Sequence, residues 1–247
     1  MPWNLPFRVL RRYHSAMPTD FAVEALGRCP LFSGLGPEPR RAIAQTLRRR
    51  RFRRGEVLFH EGDPGDSLFI VASGAVKVVV PSEEGDEAIL ATLRCGDFLG
   101  ELALLDGAPR SASAIALEAT ETLALPRDRF NALVASEPAI RDALLSSLAA
   151  ELRRLTAHVA ELHFLDLTGR LAARLARLAE EHGTSGADGS IRLDAPLTQS
   201  DLAAMIGATR QSVNKLLGEF VEEGLLRFDH EAIVIPDLEA LLRAARR

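Results

Sequence analysis

Residues 96–112 read Gly96-Asp-Phe-Leu-Gly-Glu-Leu-Ala-Leu-Leu-Asp-Gly-Ala-Pro-Arg-Ser-Ala112, and their side chains could together grip a small anionic sugar. Arg110 can fork onto two phosphate oxygens, and the Ser111 hydroxyl can add a further hydrogen bond. Glu101 is an acceptor-only carboxylate, suited to a ribose hydroxyl. Gly100 lets backbone approach a ligand closely, and Leu102 to Leu104 read as a short helix whose first amides point at an anion. A cyclic phosphate and a free 2′-hydroxyl need this set of groups. Acid, arginine and serine at fixed offsets from a glycine are more specific than a glycine motif alone.

A second group of residues is suited to a nucleic-acid duplex. Thr198-Gln-Ser-Asp201 opens a helix with a capping box in which Asp201 takes the usual Glu position. Leu202, Met205 and Ile206 supply its apolar face, Gly207-Ala208 makes a turn, and Thr209 caps the next helix. There Val213, Leu216, Leu217 and Phe220 fall at helical spacing, with Arg210, Gln211, Asn214 and Lys215 on the opposite side. Polar side chains at the start of the second helix of such a pair project into the major groove. Arg210 can pair with guanine O6 and N7, Gln211 with adenine N6 and N7, and Lys215 with a guanine or a phosphate. Gly224 ends the helix, and Leu225 to Phe228 pairs with Ala232 to Ile235 around Asp229-His-Glu231 as a wing. An ordinary three-helix unit would share the periodicity but not this order of cap, turn glycine, polar face and wing.

Other elements must position these two groups. From Gly55 to Gly107 glycines recur at short intervals between β-branched runs, among them Ser67–Val71, Ala75–Val80 and Ala88–Thr92. Short strands separated by Gly, Asp and Pro turns predict an all-β sandwich or barrel. From Pro138 the pattern becomes helical. Leu145, Leu148, Leu152, Leu155, Val159 and Leu162 alternate at three and four residues, a narrow seam flanked by Glu151, Arg153, Arg154 and Glu161. Such a seam predicts a two-stranded parallel coiled coil, hence a homodimer; the alternative is a monomer with this helix packed on its own β domain. Asp166 suits the N-cap of a further helix from Leu167 to about Glu181, and the break at Phe164 to Asp166 reads as a hinge. Residues 182–190 read as a flexible surface loop.

Charge is unevenly spread beneath a net −4. Residues 1–54 carry 12 arginines against 3 acids, residues 55–165 are net −10, and residues 166–247 net −3. Duplex binding therefore requires a local patch rather than a basic domain. The run Leu47-Arg-Arg-Arg-Arg-Phe-Arg-Arg54 reads as a solvated face just before the first strand; the alternative is contact with flanking phosphates or RNA polymerase. No apolar run reaches the roughly 18 to 20 residues of a membrane span. Residues 1–20 lack a signal peptide's apolar core, and Met17 is an alternative start. Cys29 and Cys95 form neither a disulfide framework nor a metal site, which fits a cytoplasmic protein with no cofactor. Walker, HExxH, nucleophile-elbow and paired CxxC motifs are lacking, so no enzyme is expected.

On these residues the chain resembles the cyclic-AMP receptor and FNR family of transcription regulators. Residues Gly55 to Ser111 resemble its cyclic-nucleotide-binding domain, and Phe98 to Ser111 its phosphate-binding cassette. Thr209, Arg210, Val213 and Lys215 are similar to its recognition-helix signature. The resemblance implies an α+β chain: an N-terminal extension (1–23), a jelly-roll-like β-roll (24–137), a dimerisation helix with hinge (138–165) and a winged helix-turn-helix (166–247). It implies that Gly100 and Glu101 contact ribose, with Arg110 and Ser111 on the cyclic phosphate and Leu102 beside them. Where the family's cyclic-AMP receptors use two adjacent hydroxyl residues on the dimer helix for adenine, this chain has Leu155 and Thr156. Only Thr156 can form such a bond. Cyclic AMP is the first expected effector, then cyclic GMP or a cyclic dinucleotide. A constitutive regulator of the same fold, or one with a non-nucleotide effector, is the alternative. An iron–sulfur cluster needs more cysteines than Cys29, and His60, His158 and His163 are weak haem ligands. The implied partners are a palindromic duplex, a second copy of the chain and RNA polymerase.

Overall fold

The computed structural model describes residues 19–82, 86–194, 196–230 and 232–245. Three short helices come first: α1 (Thr19–Arg28), α2 (Pro30–Ser33) and α3 (Pro37–Ala44). Ala22, Ala25 and Leu26 of α1 are buried and Phe21 and Val23 pack against the same cluster, so residues 21–23 join the domain rather than the extension, because a short amphipathic helix there helps cover the sheet. Residues 1–18 of the expected extension lie outside the described residues.

The β-roll contains β1 (Arg48–Phe52), β2 (Val57–Phe59), β3 (Ser67–Ser73), β4 (Ala75–Pro81), β5 (Glu87–Arg94) and β6 (Phe98–Leu99), then helix α4 (Glu101–Asp106), β7 (Ser113–Ala116) and β8 (Thr120–Pro126). Its two antiparallel sheets run β1-β8-β3-β6 and β2-β7-β4-β5, and the alternating residues of their facing sides make the core. Val71, Val76 and Ala114 are fully buried there. Gly74 joins β3 to β4 at φ +84°, and a side chain on it would strike the backbone of Thr120. The arginine run does not precede the first strand: it is β1. Arg49 and Arg51 both pair with Glu121 of β8, so a cross-strand acid distant in sequence turns the run into an edge strand.

Helix α5 (Arg127–Ser136) leads into α6 (Pro138–Phe164), then α7 (Leu167–His182). The Asp166 side chain accepts from the Gly169 amide at 2.8 Å, as expected of an N-cap. Ile140 and Leu144 anchor α6, with Phe130, in a second core between the helices and the outer face of the β1-β8-β3-β6 sheet. Farther along, the leucine seam divides. Leu145, Leu152, Val159 and Leu162 are 60, 66, 54 and 41% exposed, whereas Leu148 and Leu155 are half-buried against their own β-roll.

The C-terminal half adds β9 (Thr184–Ser185), β10 (Ile191–Leu193), α8 (Gln199–Ile206), α9 (Arg210–Glu222), β11 (Arg227–Asp229), β12 (Ala232–Ile235) and α10 (Leu238–Ala244). The stretch after α7 is a hairpin, not a plain loop: Ile191 pairs with Ser185 and Arg192 with Thr184. Sheet order is β11-β12-β10-β9, so the wing pair β11–β12 continues into that hairpin; Glu231 at the wing turn lies outside the described residues. The fold is α+β. Truncating the α6 anchor, Ile140→Ala, is expected to lower unfolding free energy by about 2–5 kcal/mol in a denaturant titration, through lost burial and the cavity left behind.

Candidate functional site: a cassette cavity and an exposed recognition helix

The cassette residues converge because β6, α4 and the turn before β7 meet at the open end of the β-roll. Gly100, Glu101, Leu102, Arg110 and Ser111 all line one cavity of about 540 Å³. Gly100 takes the left-handed conformation (φ +88°) and caps α4. A side chain there would also collide with the Arg110 guanidinium, so two constraints demand glycine.

Arg110 is 3% exposed. Its Nη1 donates to the Gly100 carbonyl and its Nη2 to the Ser67 carbonyl, each at 2.7 Å. The guanidinium lies 4.3 Å from the Phe59 ring centroid. Its Nε is buried without a hydrogen-bond partner among the described residues. Burial lowers the guanidinium from its usual range, with Asp66 and Glu101 opposing. It makes no ion pair with Glu101 among the described residues; its nearest carboxylate is exposed Asp66 at 3.6 Å. Burial pushes the Glu101 carboxyl up, and Glu151 across the cavity adds to the effect. The result is a partly desolvated cation, an acceptor carboxyl and a hydroxyl around one space, as recognition of an anion beside a sugar hydroxyl requires.

Helix α6 forms the far wall through Ser147, Leu148, Ala150, Glu151, Arg154 and Leu155. Thr156 is not on that wall. It is exposed, and its Oγ1 donates to the Leu152 carbonyl at 2.9 Å, because one helical step turns it about 100° away from Leu155. The polar groups that α6 presents are instead Ser147, Glu151 and Arg154, the last two joined by bonds of 2.9 and 2.5 Å. From sequence alone Glu151 and Arg154 read as flanks of the seam. Helical spacing of Ser147, Leu148, Glu151, Arg154 and Leu155 on one face is the signal that identifies them.

The second site is α9. The Thr198 side chain accepts from the Asp201 amide, and the Asp201 side chain accepts from the Thr198 amide, so the capping box is present. Thr209 caps α9, accepting from the Ser212 amide at 3.2 Å. Val213, Leu216, Leu217 and Phe220 are buried. Thr209, Arg210, Gln211, Asn214 and Lys215 are all exposed. Gln199 of α8 donates to Asn214 at 3.0 Å, and Lys215 approaches Glu219 at 3.5 Å. No helix among the described residues is long and apolar enough to cross a membrane.

Residues 49–137 match the cyclic nucleotide-binding domain, and residues 169–244 the Crp-like helix-turn-helix domain. The CRP-like cAMP-activated global transcriptional regulator of Mycobacterium tuberculosis is 37% identical over 223 residues, 90% of this chain and 99% of that protein. The cyclic AMP receptor protein of Thermus thermophilus is 36% identical, over 80% of this chain and 88% of that one. Among solved structures, a CRP/FNR-family transcriptional regulator of Thermus thermophilus aligns with a TM-score of 0.66 at 30% identity, covering 81% of this chain and 99% of its own. A cassette cavity in a β-roll, an exposed recognition helix in a winged unit and this likeness along nearly the whole length make one case: the chain belongs to the Crp/Fnr family of transcription regulators.

Proposed function

We infer that the chain is a cytoplasmic, non-enzymatic homodimer that binds a palindromic duplex and responds to a cyclic nucleotide, cyclic AMP first, held in the cassette cavity. The observation that carries this reading is the buried Arg110, with its orphaned Nε, beside Glu101 and Ser111 in one cavity. Arg110 and Ser111 take the cyclic phosphate, while Glu101 and the Gly100–Leu102 backbone take the ribose. The base lies toward α6. Thr156 serves it only from the partner's helix, since its own chain turns it away from the cavity. The relatives named as cAMP-activated support the choice of adenine.

Pairing through Leu145, Leu152, Val159 and Leu162 removes four exposed apolar side chains from water. It also sets two α9 helices for successive major grooves, about 34 Å apart. Arg210, Gln211, Asn214 and Lys215 then read base edges, and Thr209 contacts the backbone. Gln211 accepts and donates to adenine, which sets the operator's preference at that base pair. At a promoter the bound dimer meets RNA polymerase.

Calorimetry with cyclic AMP, cyclic GMP and cyclic di-GMP tests the effector directly. Arg110→Ala is expected to weaken binding of the active nucleotide by about 1.5–3 kcal/mol or more, with circular dichroism unchanged. Wild-type affinity in that variant refutes the cassette assignment. Leu152→Asp is expected to shift sedimentation from dimer to single chain. Arg210→Ala is expected to cost ~1–3 kcal/mol on the best duplex from a random-pool selection and to relax preference at one base pair. A uniform loss across all sequences refutes a base-reading role.

A further inference from the structure

The hairpin of β4 and β5 is a wall with both faces occupied. Inward, Val78, Ala91 and Leu93 line the cassette cavity. Outward, Val79 and Ile89 are each 2% exposed and lie in one apolar cluster with Leu202 and Met205 of α8. Simple alternation along β5 would put Ile89 on the same side as Ala91. A register shift at Val78/Val79 leaves Leu90 as an extra residue, pairing Val78 with Ala91 but Val79 with Ile89. That bulge turns the strand's first half to face the DNA-binding unit.

Polar ties reinforce the outer contact. Lys77 Nζ lies 2.8 Å from Glu87 and 3.2 Å from Asp201, and the Lys77 and Asp201 side chains are only 16 and 11% exposed. The other oxygen of the Asp201 carboxylate accepts from the Thr198 amide at 2.9 Å and the Thr198 hydroxyl at 2.7 Å. One carboxylate therefore starts α8 and docks it on β4. Arg94, at the end of β5, donates to the Asp194 carbonyl at 3.3 Å. Gln199, beside the cap, reaches Asn214 on the recognition helix.

We propose that Lys77 is an interdomain latch, holding the helix-turn-helix unit against the outer face of the hairpin whose inner face is the cavity wall. A ligand that presses on Val78, Ala91 and Leu93 cannot shift the inner face without moving Lys77, Val79 and Ile89, because all six belong to one hydrogen-bonded strand pair. Ligand entry thereby loosens the hold, and the latched arrangement is the resting state. This rests on reading the cavity as the effector site.

The test uses the full chain with Lys77→Met, and Lys77→Arg as the charge-retaining control. Without nucleotide, Lys77→Met is expected to speed hydrogen exchange at residues 87–93 and 199–206 while β3 and β8 stay protected, which also verifies folding. It is expected to bind the duplex selected from a random pool ~5-fold or more tightly without nucleotide, and whichever of cyclic AMP or cyclic GMP binds is expected to bind more tightly too, because both draw on the released state. Lys77→Arg should behave as wild type. Unchanged exchange, or nucleotide-free duplex affinity equal to or weaker than wild type, overturns the latch. If neither nucleotide binds the wild-type chain, the effector reading falls, while exchange and nucleotide-free affinity still decide the latch.

Discussion

A guanidinium shut away from water is costly unless its donors are met and its charge is balanced. At Arg110 the β-roll meets that demand with main chain: the Gly100 and Ser67 carbonyls accept from it, and Phe59 lies under it. Much of the domain follows from this arrangement. β3 brings Ser67 to the site, β6 and the left-handed Gly100 aim a carbonyl back at the cation, and α4 begins where that turn ends. The charge that remains suits a compact anion, whose oxygens offset the desolvation that the protein alone leaves incomplete.

The second organising element is α6, a rod with two sides. Ile140 and Leu144 fix its start against the outer face of the β-roll, Glu151, Arg154 and Leu155 close the cavity, and Leu145, Leu152 and Val159 face outward. At its far end Glu161 pairs with Arg177 of α7, while Arg170 donates to the Leu165 and Ile206 carbonyls. These ties join the cavity's far wall to the helix-turn-helix unit across the short break at Asp166. The cavity thus has mechanical neighbours on two sides, the rod and the hairpin, and both lead to the same C-terminal unit.

The parts legible in the sequence are those governed by short-range rules. The cassette lies within residues 96–112, so offsets alone brought Glu101, Arg110 and Ser111 to one cavity. Caps at Asp166, Thr198 and Thr209 depend on a side chain meeting an amide two or three residues on, and each forms as read. What escaped depends on partners far away in sequence. The arginine run becomes β1 only because Glu121 waits on β8. Heptad spacing could not reveal that Leu148 and Leu155 lie against the chain's own β-roll, since a seam and a cavity wall share a period. Position along the chain assigns Thr156 to the base, but the helix turns it off the wall. Lys77 and Asp201, 124 positions apart, gave no local sign of meeting.

The extra residue in β5 ties the bend of the hairpin to its length. Side chains along it can drift in identity, one apolar group for another, and each stays on its own side. A change in length behaves differently. Losing Leu90 would leave Ile89 next to Ala91 and still on the outward side by plain alternation, but it would remove the bend that the bulge imposes and one of the side chains that line the cavity. Natural variation in this segment should therefore run to substitutions and avoid single-residue gaps.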